Sequence, residues 1–180
     1  MTADQSSHIT PAPVLLGPSL GYVVKPSEVV VPDGVPIGQY RRITRPFLNW
    51  TLICDENLQK KQKVCNVSQT IVDRDGTTIF SWSLAATQNG QPFFILRLRL
   101  AVGEKGGVQL DLRDGGPIVN VPVTGCDQKV CIAYQPVGPR LRAAIQKELA
   151  IDVSYASGAS TETLSFQAPF AGLSSALAGI

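Results

Sequence analysis

Trp50-Thr-Leu-Ile-Cys54, a charged segment from Asp55 to Lys63, and then Val64-Cys65-Asn-Val-Ser68 form the stretch whose reading decides the fold. Leu48, Trp50, Leu52 and Cys54 fall on one face of an extended chain and Asn49, Thr51 and Ile53 on the other, the period-two pattern of a half-buried strand. The charged segment carries the chain back, and Cys65, Val67 and Ile71 resume the inward face on a second strand. This places Trp50, and Trp82 further on, in a core rather than on a platform where a sugar or base could stack.

Toward the C-terminal side the same pattern recurs. Asp73-Arg74-Asp75-Gly76 supplies a turn, and Thr78, Phe80, Trp82 and Leu84 make the apolar face of a third strand. Because the inward residues are odd-numbered on one strand and even-numbered on the other, the numbers of facing residues sum to an odd value; a sum of 149 sets Val67 opposite Trp82. After Asn89-Gly90 the next strand points Phe94, Leu96, Leu98 and Leu100 in, and Ile95, Arg97 and Arg99 out. Gly103 to Gly107 turns the chain into Val108 to Arg113, where Val108, Leu110 and Leu112 point in. If these two strands pair, Asp111 lies across from Arg97 or Arg99.

Ile118 to Val123 and Cys131 to Tyr134 are further strands. Pro139, Leu141, Ala144, Ile145 and Leu149 have helical spacing, with proline in the tolerated first turn. Ile151, Val153 and Tyr155 then face Leu164 and Phe166 across Ser157-Gly158-Ala159-Ser160, and Phe170, Leu173 and Leu177 form a last helical stripe. Many short strands at turn spacings of about ten residues, with one or two short helices, predict an all-β antiparallel sandwich, with an open barrel as the second architecture.

Residues 1–46 read differently. Pro11, Pro13, Pro18, Pro26, Pro32, Pro36 and Pro46 recur too often for a helix or a central strand, so this segment reads as an arm or linker ahead of a domain at 47–180. Within it, Val29-Val30-Val31 has the makings of an edge strand and Asp33-Gly34 is a turn signal.

The composition narrows the function by exclusion. A hydrophobic fraction of 44% in 180 residues supports one domain with a core, and a net charge of +2 gives no electrostatic reason for a nucleic-acid partner. Lys60, Lys61 and Lys63, with the outward Arg97 and Arg99, are the candidate surface contacts; solvated charge is the ordinary reading of such groups. No apolar run reaches the roughly 18 residues that span a bilayer. Four cysteines in two close pairs, Cys54 with Cys65 and Cys126 with Cys131, allow three pairings. Disulfides in an oxidising compartment are the leading reading over buried thiols, and neither pair has the Cys-x-x-Cys spacing of a metal site. The single histidine, His8, lies in the arm, so no base accompanies a nucleophile, and neither catalytic residues nor a cofactor are expected. Asp73 with Asp75, and Asp111 with Asp114, read as turn and surface carboxylates before they read as an acid/base pair.

Taken together, Trp50-Thr-Leu-Ile-Cys54, Cys65-Asn-Val-Ser-Gln69, Leu96-Arg-Leu-Arg-Leu100 and the Gly125-Cys126 to Cys131 clamp resemble the invasion-associated locus B family of bacterial envelope proteins. The helix, the closing hairpin and the Phe170 segment follow in the family's order, so the resemblance spans about Phe47 to Ile180. It implies an immunoglobulin-like β-sandwich exported through a cleaved signal to the periplasm or outer membrane. It further implies a non-enzymatic protein acting through contacts with an envelope or host-cell protein, in invasion or envelope maintenance. A lectin-like or lipid-binding periplasmic sandwich is the competing reading, and peripheral contact with a membrane fits either.

Overall fold

The structure, a computed structural model, describes residue 25 and residues 27–87, 89–156 and 162–180. His8, the prolines Pro11, Pro13, Pro18 and Pro26, and the Ser157-Gly158-Ala159-Ser160 turn lie outside them. Two compact units divide the chain: Met1–Arg41 with Glu56–Gln62, and Arg42–Asp55 with Lys63–Ile180. In the first unit Val35 N–H donates to Pro32 across the Asp33-Gly34 turn, Leu58 N–H donates to Gln39, and Arg41 pairs with Glu56. Val29 to Val31 form no strand.

The strands are β1 (Tyr40–Phe47), β2 (Trp50–Asn57), β3 (Gln62–Val72), β4 (Thr78–Ala86), β5 (Pro92–Arg99), β6 (Gly107–Asp111), β7 (Val119–Cys126), β8 (Val130–Pro136), β9 (Ala150–Ala156) and β10 (Thr163–Pro169), with helices α1 (Pro139–Gln146) and α2 (Leu173–Leu177). Hydrogen bonding runs without a break through the order β1-β2-β3-β4-β5-β8-β7-β6-β9-β10. β1 thus begins inside the stretch read as an arm. It stands at the edge of the order, the place where Pro46 is tolerated within a strand.

The second unit packs in two layers. Strands late in the order meet strands early in it through side chains: Phe166 on β10 lies 5.4 Å from Phe80 on β4, and the Tyr155 hydroxyl on β9 donates to the Ile79 carbonyl at 2.5 Å. Two-layer packing of an antiparallel fold with two short helices is what the alternation of apolar residues predicts, and β7 links the two ladders, its first half (Val119 to Pro122) pairing with β6 and its second half (Val123 to Cys126) with β8. Between the layers Trp50, Trp82, Phe94 and Phe170 stack, with centroids 4.7 Å apart for Trp82 and Phe94 and 5.3 Å for Trp82 and Phe170. Both tryptophans are core residues.

Several sequence expectations are corrected. Leu48 is 83% exposed: it occupies the β1–β2 turn with φ at 51°, so the inward face of β2 starts at Trp50. On β3 and β4 the odd-sum rule holds, but Val67 faces Leu84 and Gln69 faces Trp82, a sum of 151 in place of 149. The cause is a longer turn. Asp73 N–H donates to Thr77, the Asp73 carboxylate accepts from the N–H groups of Asp75 and Thr77, and a bulge follows between Ile71 and Val72. Nor does β5 pair with β6. β5 lies between β4 and β8, whereas β6 pairs with β7 and β9, so Asp111 faces Asp152, Arg97 faces Ile132 and Arg99 faces Val130. A short 3-10 turn at Leu100–Val102 redirects the chain, burying Val102 and leaving Leu100 exposed. Gly106 closes that crossing, since a Cβ there would collide with Val102.

Candidate functional site

Both disulfides form between the local pairs, Cys54 with Cys65 across β2 and β3 and Cys126 with Cys131 across the β7–β8 turn. In the second turn the Asp127 carboxylate accepts from the N–H groups of Val130 and Lys129, which hold its pKa below the ordinary value. The cysteines are therefore structural, and among the described residues no group of His, Cys, Asp and Glu could hold a metal ion.

The candidate basic contacts are divided between the two units. Lys60 and Lys61 are exposed in the loop of the first unit. Lys63, in the second unit, donates to the Ile180 carbonyl oxygen at 2.6 Å. Arg97 donates to the Ser83 hydroxyl at 2.9 Å, and Arg99 pairs with Asp73 at 2.9 Å. Thr77 N–H and the Arg99 guanidinium hold the Asp73 carboxyl below its usual value. Asp114 is gripped twice by Arg140 and once by Gly116 N–H, which puts it well below the usual carboxylate range. Carboxylates committed to arginine in this way are poor candidates for proton transfer, which needs a value near the working pH.

What the sequence reading underweighted is the outer face of β5 and β8. On β5 the outward residues are Phe93, Ile95, Arg97 and Arg99; across from them on β8 stand Pro136, Tyr134, Ile132 and Val130. Phe93 and Tyr134 meet edge to face at 6.0 Å, and Tyr134 is 47% exposed. An outward face of a half-solvated antiparallel sheet is normally polar, so an aromatic and aliphatic cluster beside Arg97 departs from the alternation. The signal was present: Pro92-Phe-Phe-Ile-Leu96 and Val130-Cys-Ile-Ala-Tyr134 are apolar at both parities, the pattern of strands whose two faces both meet apolar surroundings.

A second feature is a small cavity at the start of α1, of about 190 Å³, walled by Leu110, Leu112, Val119 and Leu141 and rimmed by Gln135 and Arg140. Pro139 opens α1 at its first position, which sets the helix over this wall. The cavity is below the roughly 300–1,000 Å³ of ordinary ligand pockets. Arg140, already bound to Asp114 and to the Pro117 carbonyl, has little capacity left for a ligand carboxylate.

No helix among the described residues is long and apolar enough to cross a membrane. No curated protein matches the chain. Among solved structures it is similar to the crystal structure of invasion associated protein B from Bartonella henselae, at a TM-score of 0.61 and 16% identity over 76% of this chain and 93% of that one. At that identity the likeness speaks for the fold. The family model described as Invasion associated locus B (IalB) protein matches residues 50–180, which runs from the first core tryptophan through both disulfides to α2. The chain belongs to the invasion associated locus B family.

Proposed function

We propose that this protein is a non-enzymatic, exported envelope protein that works by binding another protein through the outer face of β5 and β8. The observation that carries the reading is the cluster of Phe93, Ile95, Ile132 and Tyr134, turned away from the core. Aromatic and aliphatic side chains ringed by polar groups are the composition of an interaction core, and Arg97 supplies the charged anchor common at such centres. The disulfides support export to an oxidising compartment, for which the periplasm or the outer membrane of the source cell is our assignment. Membership of the family supports a role in host-cell invasion or in envelope maintenance.

A photo-crosslinking residue in place of Tyr134, expressed in the source cell, tests this reading. A discrete adduct with one envelope or host protein, abolished by Ile95→Asp, is the expected result. Adducts no stronger than those from exposed Thr70 on β3 would remove the proposal. A small-molecule reading draws on the apolar cavity at α1. It ranks second because the polar groups at the rim are already paired.

A further inference from the structure

The two ends of the hydrogen-bonded order are built differently. β1 carries Arg41, Arg42, Arg45 and Pro46, the charges and proline that discourage another strand from pairing at an edge. β10, at the opposite end, reads Thr163-Leu-Ser-Phe-Gln-Ala-Pro169 and has no charged side chain. Phe170 N–H donates to the Leu149 carbonyl at 2.8 Å. In the observed register this directs the main-chain groups of Leu164, Phe166 and Ala168 to β9, and turns those of Thr163, Ser165 and Gln167 to the other edge, where no strand among the described residues pairs. All three of these residues are exposed. Farther along, the Pro169 carbonyl on the same edge is occupied by Trp50 and Gln69, so the open segment ends there.

From this we infer that β10 is a self-association edge, where a second copy of the chain adds its own β10 in antiparallel register about a two-fold axis at Ser165. The alternation of free groups is symmetric about that residue. Ser165 faces Ser165 of the other copy and Thr163 faces Gln167, with reciprocal main-chain hydrogen bonds at each position. No like charges meet, in contrast to what two β1 strands would bring together. On the core side, Leu164 and Phe166 remain only half-buried although they face inward, and in this register Leu164 of one copy covers Phe166 of the other. Apolar flanks left open along a neutral edge are what a matching strand covers, and the matching strand of the same length and register is β10 itself.

Sedimentation equilibrium of the full chain, over a concentration series in non-reducing buffer, tests the inference with Ser165→Pro, Ser165→Lys and the control Thr44→Lys on β1. Ser165 donates nothing to β9, so proline there removes only an edge donor. The expected result is a reversible dimer that both Ser165 variants weaken roughly tenfold or more, with the melting temperature unchanged at concentrations low enough for the parent to be monomeric and Thr44→Lys indistinguishable from the parent. A chain that stays at 19.3 kDa at every concentration overturns the inference. So does a dimer that a folded Ser165→Lys variant leaves intact. If the proline variant fails to fold, the lysine variant alone decides.

Discussion

The indole N–H of Trp82 donates to the side-chain carbonyl of Gln69, 3.0 Å away on the facing strand, inside a core where Gln69 is 3% exposed. The amide end of Gln69 donates onward to the Pro169 carbonyl at 2.9 Å, and Trp50 donates to that same carbonyl at 3.1 Å. One glutamine therefore satisfies a tryptophan in its own layer and reaches the opposite layer with its other end.

Replacing Gln69 by leucine leaves the Trp82 N–H buried without its acceptor. The expected cost is about 1–3 kcal/mol in urea or thermal unfolding, despite the gain in apolar surface. A double-mutant cycle with Trp82→Phe should show coupling between the two positions, and strict additivity would mean that the bond contributes little.

The two disulfides close loops of different length, with sequence separations of 11 and 5. On the loop-entropy model Cys54–Cys65 contributes about 3 kcal/mol and Cys126–Cys131 about 2 kcal/mol. Paired serine replacements, compared by chemical denaturation, should rank in that order. Loss of any partner binding should track the loss of fold in the Cys54→Ser, Cys65→Ser variant rather than precede it.

Much of this was legible in the sequence. The period-two alternation of Trp50, Leu52 and Cys54, the helical spacing after Pro139 and the facing of Ile151, Val153 and Tyr155 with Leu164 and Phe166 all follow from which side chains leave water. The register of β3 on β4 did not, because it depends on how Asp73 folds its own turn and on a bulge that shifts the sum from odd to even at Val72. Partner choice failed for β5 and β6 for a related reason. Parity restricts which residues face one another if two strands pair, but carries nothing about whether they pair. The partners of Arg99 and Lys63 are likewise not legible along the chain, because Asp73 and Ile180 are distant in sequence. The outer apolar face shows in the sequence as unbroken apolar runs, but the inward residues account for the core by themselves and so leave its role undetermined.

Acid should weaken the fold at Asp114. Its folded pKa is depressed by Arg140 and by Gly116 N–H. A depressed carboxylate contributes stability above its unfolded value of roughly 3.9 and loses it as the pH falls below that toward the folded value. Asp114→Asn should therefore lower the melting temperature at neutral pH and flatten its decline on the acid side. An acid limb identical to that of the parent counts against the pairing.

Tyr155 gives the opposite limb. Burial raises its pKa, while the Arg99 charge acts weakly the other way. The neutral phenol thus stabilises the fold below its unfolded value of about 10, and that contribution falls away as the pH climbs toward the raised folded value. Tyr155→Phe should cost about 0.5–1.5 kcal/mol at neutral pH through the lost bond to Ile79. It should also make the alkaline decline shallower, as read by near-ultraviolet dichroism during a pH titration.

The Pro169 carbonyl also sets a timetable. Its two donors lie 119 and 100 residues earlier, so a ribosome has made most of the chain before Trp50 and Gln69 can reach their acceptor. Contacts of such long range make closure slow and late, and the nascent chain carries Trp50 without its native acceptor until β10 emerges. The core is completed from its far end, which leaves a long interval in which a carrier can hold the chain open before it shuts.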